Sequence, residues 1–175
     1  MGSEKNGNDD ISECRDRHDK GCVCEVVRAI KDIQDTAEEK ENCECPSNCF
    51  LEPLGSLLSP ATRQNADTRV FVLKTADGSP FHAFFKSVDC VGCVSIFFSV
   101  EDIFDNCCAT LRVLRPIKKD GTTVATLNMV KNCCIDLSTF CDLAGFEATN
   151  DCISVDLNCF CAVQCIADVD LDICD

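Results

Sequence analysis

The chain has 175 residues, of which 18 are Cys and none is Trp or Tyr, and its 30 acidic against 16 basic residues give a net charge of −14. This acidic excess repels phosphate groups, so we expect neither nucleic acid nor an anionic membrane as a partner. The polar start lacks the apolar core of a secretion signal, and no apolar run approaches the ~18 residues of a membrane-spanning helix. We therefore expect synthesis in a cytosol without membrane insertion, although the cysteine density is typical of extracellular disulfide-rich proteins.

The N-terminal region divides into two predicted parts. Residues 1–21 are rich in Gly, Asn, Asp, Lys and Arg, which predicts a disordered acidic arm. Residues 22–42 are predicted to contain an amphipathic helix, because apolar residues recur there at helical spacing among charged ones. The apolar positions are Val23, Val26, Val27, Ile30, Ile33 and Ala37. Such a helix packs either on its own domain or against a neighbouring subunit, and the pattern leaves both open.

Residues 43–166 are predicted to form a cysteine-rich β domain. RVFVLK and FHAFFK flank Asp77-Gly78, which predicts a hairpin, and VSIFFSV alternates as one strand with Ser95 and Ser99 on its polar side. CCATLRVLR and TTVATLNMV follow as further strands separated by a turn at Gly121. Short strands at this spacing are typical of an antiparallel β-sandwich or a jelly-roll-like pair of sheets.

The last predicted strand is CISVDLNCFCAVQC, at residues 152–165. A continuous alternation places Cys159, Cys161 and Cys165 on its apolar face, as core thiols or intrachain disulfides. Residues 167–175 alternate Asp with apolar residues and are interpreted as an acidic tail, either a solvated edge strand or a frayed end.

Metal binding is the alternative function that the cysteines suggest. Cys90-Val-Gly-Cys93 has the C-x2-C spacing of a zinc knuckle, and the C-x-C pairs at 22/24, 43/45 and 159/161 suit thiolate clusters. The many Phe residues and clear strands are unlike a metal-cluster protein. The C-x-x-C motif also fits a redox dithiol, but it leads into a strand and lacks the helix N-terminus that activates such a thiol.

Catalysis has little support in the sequence. A cysteine nucleophile would need His18 or His82 as its base, and these lie in the polar arm and among apolar residues. No glycine-rich phosphate loop or paired carboxylate motif is apparent. We therefore predict no enzyme activity, no cofactor and no resident metal.

Covalent cross-linking remains as the use of the thiols. Cysteines on arms and turns are placed to join subunits rather than to close a pocket. The candidates for inter-chain disulfides are Cys14, Cys22, Cys24, Cys43, Cys45 and Cys49. The vicinal pairs at 107–108 and 133–134 place one cysteine of each pair on either side of a strand.

Three stretches carry a resemblance to a known family. ECPSNCF (44–50), FFSVEDI with CCATLRVLRP (97–116) and DCISVDLNCFCAVQCI (151–166) resemble the cysteine-rich spore coat and exosporium proteins of endospore-forming bacilli, the CotY/CotZ/ExsY family. The resemblance implies a self-assembling structural protein of the spore surface, whose hexagonal two-dimensional arrays are held by inter-subunit disulfides. It also implies synthesis in the mother-cell cytoplasm and later exposure to oxidant, which accounts for abundant thiols without a secretion signal.

We accordingly predict that copies of this chain bind one another, as hexameric rings that tile into sheets, and contact other spore coat or exosporium proteins. Complementary surfaces would assemble first in the reducing cytosol. Cysteines held close across the contacts would then oxidise at high effective concentration.

Overall fold

The computed structural model describes residues 21–37, 66–132 and 134–171. The predicted arm before residue 21 and the cysteine-rich turn at 43–49 lie outside the described residues, as do residues 172–175 of the predicted acidic tail. The helix is α1 (Cys22–Ala37). The strands are β1 (Thr68–Lys74), β2 (Ala83–Ser87), β3 (Cys90–Ser95), β4 (Phe98–Ile103), β5 (Cys108–Asp120), β6 (Thr123–Thr126), β7 (Val130–Lys131), β8 (Cys134–Ile135), β9 (Gly145–Asp156) and β10 (Ala162–Val169). Two 3₁₀ helices, Leu137–Asp142 and Leu157–Cys159, flank β9.

Within the described residues, the strands form one large sheet and two small ones. The large sheet has the order β10-β1-β4-β5-β6, with β9 also paired to β5, and the small sheets are β2-β3 and β7-β8. Every pairing is antiparallel. The predicted fold class, mainly β and antiparallel with one N-terminal helix, is confirmed.

Hydrophobic cores lie on both faces of the large sheet. Phe71 and Leu73 of β1 belong to a core shared with α1 and the β2–β3 hairpin, whereas Val70 and Val72 belong to a second core. Because successive strand residues point to opposite faces, β1 is buried on both sides, which explains its nearly continuous apolar sequence. The helix is held by its predicted apolar stripe, since Val27 and Ile30 are fully buried in the first core.

The turn predicted at Asp77-Gly78 is confirmed. The prediction that the strands on either side of it pair with each other is wrong. Thr75 N–H donates to Ser79 O at 3.0 Å, and Gly78 adopts φ +83°. The pairing ends with a bridge between Lys74 and Pro80. Phe81 N–H donates to Leu73 O at 2.8 Å beside this bridge, and the chain then leaves β1. Strand β2 then pairs with β3, while β1 pairs with β4 and β10.

Two predicted single strands are each divided. VSIFFSV is interrupted at Ile96 and Phe97, where the chain passes from β3 to β4, and its serines, Ser95 and Ser99, are fully buried. Ser95 accepts a hydrogen bond from Phe97 N–H at 3.1 Å at this crossing. The second 3₁₀ helix divides β9 from β10.

The end of the chain was predicted to be solvated, and this prediction is wrong at Asp168. This residue lies opposite Arg69 in the β1–β10 pairing, and both side chains are fully buried. Arg69 Nε and Nη2 donate to the two carboxylate oxygens at 2.7 and 2.9 Å. A bidentate pair satisfies much of the hydrogen-bonding demand that burial imposes on both groups.

Candidate functional site: paired cysteines and surface thiols

One disulfide fastens the helix to the large sheet. Cys24 of α1 bonds to Cys107, which precedes β5, across a sequence separation of 83. Their exposed fractions are 0% and 2%, so solvent does not reach the bond. Arg28 Nη2 donates to Phe104 O at 3.2 Å and ties the helix to the same turn. Cys24, which we expected to bridge subunits, is therefore used within the chain, because its place on the apolar helix face buries it.

A second disulfide joins Cys90 and Cys93, three residues apart in β3. Gly92, between them, has φ +81°, and the β2–β3 register shifts at this point. The resulting bulge brings both sulfurs to one side of the hairpin. Cys93 is buried in the first core with 1% exposure, whereas Cys90 is half-buried.

The three cysteines predicted on one apolar face occupy different environments. Cys165 is disulfide-bonded and half-buried against the first core. Cys159 and Cys161 are exposed, because the 3₁₀ helix breaks the alternation that would have turned them inward. The Cys161 thiol donates to Thr75 O at 2.9 Å.

Free thiols lie on the surface of several elements. Cys108, at the start of β5, is half-buried, and the others are exposed. The exposed free thiols are Cys22, Cys134, Cys141, Cys152 and Cys161. They lie on α1, β8, the first 3₁₀ helix, β9 and the segment before β10. Within residues 21–37, 66–132 and 134–171, no three metal-binding side chains come together as a metal site would require.

The surroundings of Cys152 shift the pKa of its thiol. Partial burial raises the pKa of its thiol, and the Arg112 guanidinium opposes that rise. Glu101 and Asp151 raise the pKa further through their negative charges. Cys152 is therefore a thiol whose reactivity increases toward alkaline pH.

The sequence predictions found some of these cysteines and missed others. Cys22 is an exposed free thiol, as its predicted inter-chain role would need, and Cys14, Cys43, Cys45 and Cys49 lie outside the described residues. The predicted candidates did not include Cys141 or Cys152, and Cys134 entered only as a member of the vicinal pair 133–134. A signal for Cys152 was present, since it alternates in phase with Ser154 and Asp156, which are exposed.

Comparison with known proteins identifies the family. The model of the spore coat protein Z family matches residues 11–168. The chain belongs to this family. Spore coat protein Z of Bacillus subtilis (strain 168) is 32% identical over 148 residues, which cover 83% of this chain and 88% of that protein. No solved structure matches the chain significantly.

The family membership is consistent with the resemblance carried by the three cysteine-rich stretches, since the matched region contains all of them. No helix in the part of the chain that the structure describes is long and apolar enough to cross a membrane.

Proposed function

We propose that this protein is a structural component of the bacterial spore surface, whose copies assemble into a two-dimensional array cross-linked by disulfides between subunits. Membership of the spore coat protein Z family indicates the spore surface and a structural role. The cross-linking is supported by the division of the cysteines: one intrachain bond is completely buried, and at least five free thiols face solvent.

The placement of the thiols favours bonds between molecules. A disulfide requires Cα atoms about 4.4–6.8 Å apart, and the exposed thiols are distributed over separate elements instead of converging on one pocket. An interface that brings two such cysteines within this distance allows a disulfide to form between subunits. Once the interface has formed, the effective concentration of the facing thiols far exceeds that of free molecules.

Non-covalent association would come first, because the cytosol keeps thiols reduced. Large apolar side chains are exposed on the β2–β3 hairpin and near the first 3₁₀ helix, and they supply contact area. These are Phe84, Val88, Val91, Leu137 and Phe140. A head-to-tail contact that closes into a ring, here a hexamer, together with a second contact between rings, is the simplest way to tile a plane.

The test separates assembly from cross-linking. Reduced protein is left to assemble without oxygen and then exposed to air, and one portion is alkylated with iodoacetamide before exposure while a matched portion is alkylated afterwards. We expect ladders of covalent oligomers on a non-reducing gel from the second portion alone, and their loss on adding reductant. Electron microscopy of the same samples should show a periodic sheet or ring.

Two outcomes would contradict the proposal. If reductant makes no difference to the dissociation of the assemblies, disulfides do not hold them together. Several equivalents of bound zinc with few disulfides, measured by metal analysis and thiol titration, would instead support thiolate metal binding.

A further inference from the structure

Two intrachain disulfides join described residues, and they differ in what they contribute to the fold. Cys24–Cys107 closes a loop with a sequence separation of 83, whereas Cys90–Cys93 closes one of 3. Since a disulfide stabilises a fold mainly by constraining the unfolded chain, the short link contributes far less. Because the fold depends little on this bond, the bond can open during thiol chemistry without unfolding the protein.

The hairpin that carries Cys90–Cys93 is anchored without it. The Asp89 carboxylate accepts hydrogen bonds from Ser87 Oγ at 2.6 Å, Thr126 N at 3.0 Å and Thr126 Oγ1 at 2.5 Å. Arg115 Nη2 lies 3.3 Å from the same carboxylate. On β2, Lys86 N–H donates to Asp151 Oδ2 at 2.7 Å. Opening the disulfide therefore leaves the turn fixed to β5, β6 and β9.

Access to the two sulfurs is unequal. Cys90 is half-buried at the hairpin end, while Cys93 is 1% exposed within the first core. Both sulfurs of Cys24–Cys107 are buried, so a thiolate cannot approach that bond from solvent. Thiol–disulfide exchange requires attack on an accessible sulfur, and Cys90 provides one.

The hairpin that carries Cys90 exposes three large apolar side chains beside the charged Lys86 and Asp89. Phe84, Val88 and Val91 have exposed fractions of 71%, 108% and 89%, although all three are large hydrophobic residues. Val88 and Val91 lie within two residues of Cys90, and Phe84 lies on the paired strand. Exposed apolar side chains on one hairpin provide contact area for another protein surface.

From these observations we propose that Cys90–Cys93 is a transferable disulfide, which passes its oxidation to surface thiols of neighbouring copies and so forms the bonds between subunits. This inference rests on the proposed cross-linking function and names the immediate oxidant for it. The partner is a second copy of this chain, because each copy presents at least five exposed free thiols of the kind that the exchange consumes.

The chemistry balances in two steps. A surface thiol of one copy loses its proton and attacks Cys90 Sγ, and a mixed disulfide forms. The electron pair of the Cys90–Cys93 bond leaves with the Cys93 sulfur, which takes up one proton in place of the one that the attacking thiol lost. A thiolate from a second surface cysteine then attacks the first surface sulfur, forming the inter-subunit disulfide and releasing Cys90 as a thiol. Two electrons have moved to the Cys90–Cys93 pair, and a small-molecule disulfide reoxidises it.

The test follows the order in which disulfides form. Fully reduced full-length protein receives one equivalent of diamide without oxygen, and samples are alkylated with N-ethylmaleimide at intervals for mass spectrometry and non-reducing gels. We expect Cys90–Cys93 to form early and then to decline as inter-subunit bonds accumulate, one for each pair lost. In Cys90→Ala/Cys93→Ala the accumulation should be at least ~10-fold slower. Cys24→Ala/Cys107→Ala is the matched control and should retain the early transfer.

The outcomes separate this inference from the proposed function. If the Cys90→Ala/Cys93→Ala variant cross-links as fast as the wild type, the transfer is refuted while the cross-linking stands. Absence of inter-subunit bonds in every form, even with excess diamide, refutes both. Circular dichroism establishes that each variant is folded, and oxidised glutathione in excess should restore full cross-linking to a folded Cys90→Ala/Cys93→Ala variant.

Discussion

Removal of the helix-to-sheet disulfide by Cys24→Ala/Cys107→Ala should be among the most costly cysteine changes in the described structure. The chain-entropy relation, applied to a sequence separation of 83, gives about 4.6 kcal/mol of stabilisation. The same relation gives about 1.6 kcal/mol for Cys90–Cys93, with its separation of 3. Replacing both partners by Ala leaves no unpaired thiol, so the comparison isolates the links.

Urea unfolding of alkylated, monomeric protein measures this difference. The chain has no Trp or Tyr, so the unfolding is followed by far-ultraviolet circular dichroism. With a urea dependence of about 2 kcal/mol per molar, the midpoint should fall by about 2 M in Cys24→Ala/Cys107→Ala and by about 1 M or less in Cys90→Ala/Cys93→Ala. Equal shifts, or a larger shift in the second variant, would refute the assignment of one structural and one dispensable disulfide.

Three further predictions concern single positions. Asp168→Asn should destabilise the fold by about 3–5 kcal/mol in urea unfolding, because it leaves the buried Arg69 guanidinium without its carboxylate charge. Gly92→Ala should lower stability by about 1–2 kcal/mol, since φ +81° strains any residue with a Cβ even though no neighbouring atom lies within 4 Å of one. The rate at which iodoacetamide alkylates Cys152 should rise with pH about a midpoint above the ordinary cysteine value, because burial raises its pKa and the reactive thiolate appears only as pH passes that pKa.

Each of these predictions has a contradicting result. A shift below about 1 kcal/mol in Asp168→Asn would mean that the ion pair is not needed by the folded state. An unchanged midpoint for Gly92→Ala would exclude the left-handed conformation at that position. A Cys152 profile centred at or below the usual cysteine pKa, read by mass spectrometry of the alkylated peptide, would contradict the effect of burial.

Features that depend on neighbouring residues were determined by the sequence alone. The helix at Cys22–Ala37 follows from apolar residues at helical spacing, and the turns at Gly78 and Gly121 follow from glycines that adopt positive φ. The antiparallel β class follows from short alternating strands separated by such turns. The family resemblance was likewise carried by local stretches, and the match over residues 11–168 agrees with it.

Only the tertiary structure determined which residues distant in sequence contact each other. Local alternation could not show that β1 pairs with β10, so the Arg69–Asp168 pair was missed and the end of the chain was interpreted as solvated. Nor could it show that Cys24 meets Cys107, because helical spacing places Cys24 on the apolar face without showing which residue, 83 positions away, lies opposite it. The physical reason is that a period of two or 3.6 residues fixes which face a side chain occupies, whereas sheet register and core packing fix what lies opposite it.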